Sequence, residues 1–254
     1  MLSNDQLKQY SKELKINESV VLREYIQTIF LKELYEENIG SKIFFKGGTA
    51  IRFIFAGSRF SEDLDFTVIG GEDEFLIGIN DFFKKLTKLY GFNFKRRQTI
   101  TGINFLLTAQ VGIVSYKIFI NLDFSFREKV LDPSKSVIKT NYPVVFTSFI
   151  NHLSAEEILA EKIRAIMTRN KGRDVYDLWF LLNKNVSINN KMVLEKLKYY
   201  KINNFDRNEL LEKIKSFSKE KFVIDLRPFV PIGERDKLAG LFDYLLEFFG
   251  SSLS

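Results

Sequence analysis

Apolar residues recur in two rhythms along the chain, and the changes of rhythm mark its elements. Residues 3–38 carry the helical one. "NDQLKQYSKEL" opens on a cap-like Ser3-Asn4 pair, and "NESVVLREYIQTIFLKELYEE" sets Val20, Val21, Tyr25, Ile29 and Leu34 at helical spacing. "NIG" predicts the stop, with Gly40 offering a left-handed cap. "IFFKGG" reads as a short apolar strand ending in glycine, and "TAIRFIFAG" as a helix that starts at the glycines. "DLDFTVIG" alternates polar and apolar as a strand does, until Gly70-Gly71 ends it. "EDEFLIGINDFFKKLTKLYG" returns to helical spacing. "FNFKRRQT", "INFLLTAQ" and "YKIFINLDFSF" are predicted strands separated by turn-like Thr/Gly segments, and residues 127–147 read as loop with short strands.

From "SAEEILAEKIRAIMTR" onward the rhythm is helical. Ser154 with Glu157 forms a capping-box signature, and "RDVYDLWFLLNKN" is a second helix. The tail, 187–254, is mostly helical with a break at "DLRPFVPIG". No repeat or low-complexity tract interrupts this order. The expected class is α/β (α+β): a mixed sheet flanked by helices in residues 1–150, and a helical C-terminal part in 151–254.

Composition narrows the chemistry. The 254 residues are 45% hydrophobic and 28% charged, the profile of a globular protein, and the 26 phenylalanines predict a core built on aromatic rings. There is no cysteine, which excludes disulfides, thiol nucleophiles and Cys-based zinc sites. A single histidine, His152, excludes a His-cluster metal site and is read as structural. The start, "MLSNDQLKQYSKELK", lacks an apolar signal core, and no apolar run reaches membrane-spanning length, so the expected location is the cytoplasm, with no membrane partner. A formal net charge of +6 suits a polyanionic partner, although solvated surface lysine explains it equally well.

Within this frame, "KGGTAIRFIFAGSRFSEDLDFTV" poses the question of function. Gly47 and Gly48 lie between strand and helix. Without Cβ atoms they let backbone N–H groups approach an anion, at a helix N-terminus whose dipole favours one, with the Thr49 hydroxyl beside them. Gly-Gly alone is equally the mark of a plain strand-to-helix turn. Asp63 and Asp65 are two apart on a strand, so their carboxylates share a face while Leu64, Phe66 and Val68 take the other. Two such hard-oxygen ligands suit Mg²⁺ or Mn²⁺; the alternative is two ordinary acids on a solvent-facing strand. "NLDFS" echoes "DLDFT". If the two strands are neighbours, Asp123 completes a three-carboxylate cluster able to hold metal for in-line phosphoryl transfer; the exposed face of an antiparallel strand explains it equally well.

The later helices add a second group. Lys162 falls inside the apolar stripe formed by Ala155, Ile158, Leu159, Ile163 and Ile166, where it must snorkel or meet an anion such as phosphate. Asp174 and Asp177 share a helix face with Leu178 and Leu181. One of them orients Lys162 or acts as a base toward an attacking hydroxyl, or Asp174 is simply an N-cap. Basic residues group at Lys84, Lys85 and Lys88, at Lys95, Arg96 and Arg97, and at Arg164, Arg169, Lys171 and Arg173. The first group reads best as the wet face of a helix; the last flanks the proposed site.

The order "KGGTAIR…RFSEDLDF", "LAEKIRA", "RDVYDL", over residues 44–182, resembles the AbiEii/MenT-type nucleotidyltransferase toxins of the DNA polymerase β-like superfamily. The resemblance implies a nucleotidyltransferase core and the toxin of a toxin–antitoxin or abortive-infection module. It also implies an AbiEi-like antitoxin encoded next door, and NTP as substrate with Mg²⁺ or Mn²⁺. Characterised relatives transfer nucleotides to the 3′ acceptor end of tRNA, which blocks charging and translation. By motif, Lys46, Gly47, Gly48, Thr49 and Arg59 would bind nucleotide, Thr49 standing where the superfamily has serine. Asp63 and Asp65, with Asp123 less uniformly required, would hold metal. Lys162 would contact phosphate, and Asp174, or else Asp177, would supply the last acid. Two rival readings remain: a nucleotidylyltransferase acting on a protein or small molecule, and an NTP-binding inhibitor without catalysis.

Overall fold

The computed structural model describes residues 1–99 and 102–253; Ile100 and Thr101 of one predicted turn, and Ser254 at the end of the predicted helical tail, lie outside the described residues. The chain forms two compact units, Met1–Leu153 and Ser154–Ser254.

The first unit opens with helix α1 (Asn4–Leu14), started by a capping box in which Ser3 and Gln6 satisfy each other's backbone N–H groups. Helix α2 (Glu18–Glu36) is buried on nearly every side rather than along one stripe. That burial extends to Glu24 and Glu33, and both are paired: Glu24 accepts from Arg52 Nε and Tyr142 Oη, and Glu33 from Lys32, Tyr90 and Lys85. Gly40 is not the left-handed cap expected of it. It lies in a 3₁₀ turn, Asn38–Lys42, which carries the chain directly into the sheet.

Seven strands follow: β1 (Ile43–Lys46), β2 (Leu64–Val68), β3 (Asn93–Arg97), β4 (Ile103–Gln110), β5 (Lys117–Ser125), β6 (Pro133–Ser136) and β7 (Ile150–Leu153). Helix α3 (Gly47–Ile54) joins β1 to β2, and α4 (Glu72–Tyr90) joins β2 to β3. The sheet order is β3-β4-β5-β2-β1-β7-β6, with β2 parallel to β5, β1 parallel to β7 and the other pairs antiparallel. It is therefore a mixed sheet, as the class predicted.

One face of this sheet is a layer of rings. Phe30 of α2 meets Phe66 and Phe94, and Phe75 of α4 meets Phe124. Phe83 of α4 stacks on Phe94 with centroids 3.9 Å apart, and Phe66 stacks on Phe124 across β2 and β5 at 5.0 Å. Such pairs add about 0.5–1.5 kcal/mol each beyond the area they bury. Of the basic residues of α4, Lys84 pairs with Asp81 and Lys85 with Glu33 and Glu37. His152 is structural, as read. It is buried in β7 between the Leu153 carbonyl and the Ser136 hydroxyl, and burial lowers its pKa.

The second unit is helical: α5 (Ala155–Thr168), α6 (Gly172–Asn183), α7 (Asn190–Lys198), α8 (Arg207–Lys215), α9 (Lys219–Leu226) and α10 (Leu238–Ser252), with 3₁₀ turns at 227–229 and 232–237 where the break was expected. Ser154 caps α5 by accepting from the Glu157 N–H. Among the described residues no helix is long and apolar enough to cross a membrane.

Candidate active site

The two halves of the "KGGTAIR…DLDF" stretch pack against each other. β1 ends at Lys46 and the chain turns into α3 through Gly47, whose φ of +77° lies in the left-handed region. Glycine is required there twice over, because a Cβ on Gly47 would sit 2.2 Å from Asp65 Oδ2. A Cβ on Gly48 would sit 2.3 Å from Arg59 Nη2 and 3.1 Å from Ser61 Oγ. Arg59 is buried and donates to the Phe60 carbonyl at 2.9 Å. The Thr49 hydroxyl donates to the Asp63 carbonyl, tying the first turn of α3 to the start of β2. Glycine pair, arginine and acid motif are one piece of structure.

The strand register sets the rest. Lys46 lies opposite Asp65 on β1 and β2, Asp65 opposite Asp123 on β2 and β5, and Asn104 opposite Asp123 on β4 and β5. Register partners share a face, so Lys46, Asp65, Asp123 and Asn104 form a row on the side opposite the phenylalanine layer. Asp63 is held just before β2 by Asn121 Nδ2 at 2.8 Å, and Asn121 Oδ1 accepts from Arg97 at 2.9 Å. The buried Lys46 ammonium faces Glu128 at 3.6 Å. Burial pushes the Asp123 carboxyl up and the Asp63 charge adds to it, against the pull of Lys46, Arg127 and an Asn104 hydrogen bond.

The donor set is one that a hard cation prefers. Carboxylates share a face, and beside them Thr67 Oγ1, Ser125 Oγ and Asn104 Oδ1 are buried without a hydrogen-bond partner. All are oxygens, and the like charges gathered there favour a divalent ion. Among the described residues, however, no group of three or more His, Asp or Glu side chains is drawn together as a metal cluster. Asp63 is turned to Asn121, Asp65 lies against Gly47, and Asp123 meets Asn104.

A second cluster lies in the helical unit. Lys162 Nζ is buried between Asp174 Oδ1 at 3.0 Å and Asp177 Oδ2 at 2.7 Å, which explains a lysine inside the apolar stripe of α5. Arg169 grips Asp174 with two hydrogen bonds, Nε to Oδ2 at 2.8 Å and Nη2 to Oδ1 at 3.0 Å. Burial raises the Asp174 carboxyl, but Lys162 and Arg169 outweigh it and hold the group well below the usual carboxylate range. Asp174 is not an N-cap: α6 begins at Gly172 after Lys171, which puts Asp174 inside the first turn. Of the other basic residues in this group, Arg164 lies over the Tyr200 ring and Arg173 over the Phe229 ring.

A family model described as nucleotidyl transferase AbiEii toxin, type IV toxin–antitoxin system, matches residues 29–239. The chain belongs to this AbiEii toxin family. It is therefore the nucleotidyltransferase toxin of a toxin–antitoxin system, and an antitoxin is its implied partner. Among solved structures it is similar to MenT4, a nucleotidyltransferase toxin from Mycobacterium tuberculosis H37Rv, with a TM-score of 0.64 and 17% identity over 96% of this chain and 90% of that one. It is also similar to a nucleotidyltransferase structure from H. pylori, with a TM-score of 0.54 and 19% identity over 94% of this chain and 97% of that one. At such identities these likenesses show the shared fold. No curated protein matches significantly.

Several buried polar residues had no reading in the sequence. Glu128 and Asn104 were missed: an ion pair from the segment after β5 brings Glu128 to Lys46, and strand register brings Asn104 to Asp123. The buried Lys196 of α7, clamped by Glu157 at 2.6 Å and Glu161 at 3.2 Å, was missed too. Its signal was available: two like charges four apart on one helix face call for a cation between them.

Proposed function

We propose that this toxin transfers a nucleotide from an NTP to the 3′ acceptor end of tRNA, in the cytoplasm, and so blocks translation. The observation that carries the reading is the packing of Gly47 on Asp65. In that arrangement the amides of the turn would serve as donors for a triphosphate and the Asp65 carboxylate beside them as a metal ligand. Asp63 and Asp65, with Asp123 beside them, would hold Mg²⁺ or Mn²⁺, which when bound neutralises the NTP phosphates. The N–H groups of Gly47 and Gly48, in the first turn of α3, would face the triphosphate, with Lys46 and Arg59 supplying nearby positive charge. By the family motif, Lys162 would contact phosphate in the same reaction.

The tRNA 3′ hydroxyl oxygen bonds to the α-phosphorus and gives its proton to solvent as the bond from the α-phosphorus to the bridging oxygen breaks, and pyrophosphate leaves with that oxygen. Asp174 is a poor base for this step, because two cations hold its carboxyl far below the usual range. Its role is to fix Lys162, with Asp177 as second support. Positioning and charge neutralisation account for the catalysis. The cognate antitoxin, AbiEi-like and encoded adjacently, serves an abortive-infection module.

The test is purified protein with Mg²⁺, total tRNA and each labelled NTP in turn, beside Asp63→Ala/Asp65→Ala. Label on tRNA with the wild type alone establishes transfer and names the nucleotide. Label on a protein or small molecule, or NTP binding with no pyrophosphate release, overturns the tRNA reading.

A further inference from the structure

The face of the sheet that carries the acids continues outward over β5, β4 and β3. Asp123, Asn121, Phe119 and Lys117 alternate with the buried Phe124, Leu122, Ile120 and Ile118, so they share the acid face. Register sets Leu106 beside Asn121, Thr108 beside Phe119 and Gln110 beside Lys117, with Lys95 beside Leu106 and Arg97 beside Asn104. Phe119 stands there 49% exposed, the one ring that the described residues of β3, β4 and β5 place on this face, while Phe94 and Phe124 stack in the opposite layer. Lys117 lies two residues before it on β5, and Lys95 and Arg97 stand on the same face two strands away. All three are exposed, and the two lysines make no ion pair among the described residues. Arg97 also bonds Asn121, which holds Asp63, so this surface is physically joined to the acid motif.

An exposed ring among unpaired cations is what a single-stranded polynucleotide needs: a platform for one base and charges that follow its phosphates. We propose that the open β3–β4–β5 face seats the acceptor strand, with a base near the unpaired 3′ end stacked on Phe119 and phosphates held by Lys95, Lys117 and Arg97. The proposal rests on the reading of a polynucleotide as acceptor. It adds which surface receives the strand, and predicts a preference for single strands over duplex.

The experiment measures binding of a labelled single-stranded RNA oligonucleotide, the matching DNA and a blunt RNA duplex by fluorescence anisotropy across a salt series. The proteins are wild type, Phe119→Ala, Phe119→Trp and Lys95→Ala/Lys117→Ala, each checked by thermal melting and NTP binding. Phe119→Ala should bind the single strand about 5- to 100-fold more weakly, Phe119→Trp should restore binding, and NTP affinity should hold. The double lysine variant should flatten the log–log salt dependence by about 0.7 for each lost phosphate contact. Equal binding by wild type and Phe119→Ala, or equal losses on single strand and duplex, overturns the proposal. Wild type that labels tRNA while Phe119→Ala binds normally sinks this inference and leaves transfer standing. Phe119-dependent binding without label on any tRNA does the reverse. RNA and DNA bound alike still support the seat and assign choice of acceptor to another surface.

Discussion

The Asp65 carboxylate lies against the Cα of Gly47, closer than any side chain at that position would allow. Gly47→Ala therefore strikes backbone and site together. A left-handed φ costs a non-glycine residue about 1 kcal/mol, and the new methyl displaces the carboxylate as well. We expect lower thermal stability and loss of NTP binding in the same variant. An alanine variant that binds NTP normally would show that Asp65 moves freely and is no part of the site.

Asn121 bridges Arg97 and Asp63. If it orients Asp63 toward a metal, Asn121→Ala should weaken Mn²⁺ binding by about 10- to 100-fold, as loss of an outer-shell partner does. Electron paramagnetic resonance of free Mn²⁺ reads this without any turnover. Unchanged affinity would leave Asp63 oriented by something other than Asn121.

Lys162→Met leaves Asp174 and Asp177 buried with one cation fewer. Breaking a buried pair on one side costs about 3–5 kcal/mol, a large part of a domain's stability. Urea unfolding should show it, and Lys162→Arg should recover part of the loss. No change in midpoint would mean that water reaches the cluster.

Acid should weaken the first unit through Glu33. Burial pushes this carboxyl up, but hydrogen bonds from Lys85, Lys32 and Tyr90 outweigh it and bring it from 4.5 down to about 2. A depressed carboxyl stabilises the fold above its unfolded pKa, and that contribution is lost as pH falls from about 4.5 toward 2. It is worth about 2 kcal/mol once the partial exposure of Lys32 and Lys85 is allowed for. Glu33→Gln should lose most of it at pH 7 and flatten the pH dependence of unfolding between these values. A variant as acid-sensitive as the wild type would assign the effect to other carboxylates.

Local pattern made the elements and the acid motif legible. Asp63 and Asp65 two apart, Gly47-Gly48 before a helix and Lys162 inside an apolar stripe are signals written within a few residues. What pattern could not show were partners fixed by sheet order. Asn104 reaches the site because β4 and β5 pair in one register and β2 lies beside β5, Arg97 because β3 pairs with β4, and Glu128 through its ion pair with Lys46 from the segment after β5. The parallel β2–β5 pairing did give the echo of "DLDF" in "NLDF" its meaning, placing Asp65 beside Asp123. Gly40 and the N-cap reading of Asp174 failed for a shared reason: glycine and aspartate favour helix ends in general, and here a 3₁₀ turn and an earlier helix start took those roles.

Because β5 alternates Asp123 and Asn121 on one side with Phe124 and Leu122 on the other, its reading frame in space is all-or-nothing. A single residue inserted or deleted within the strand would trade the acids for phenylalanine and leucine. It would put carboxylates among stacked rings and rings in water. This chain has no graded path by which drift in β5 could leave an inert but well-folded toxin: disarming it by a shift there also unfolds it. Escape from toxicity with the fold intact must come through single side-chain replacements, and Asp65 and Asp123 are where we would look for them first.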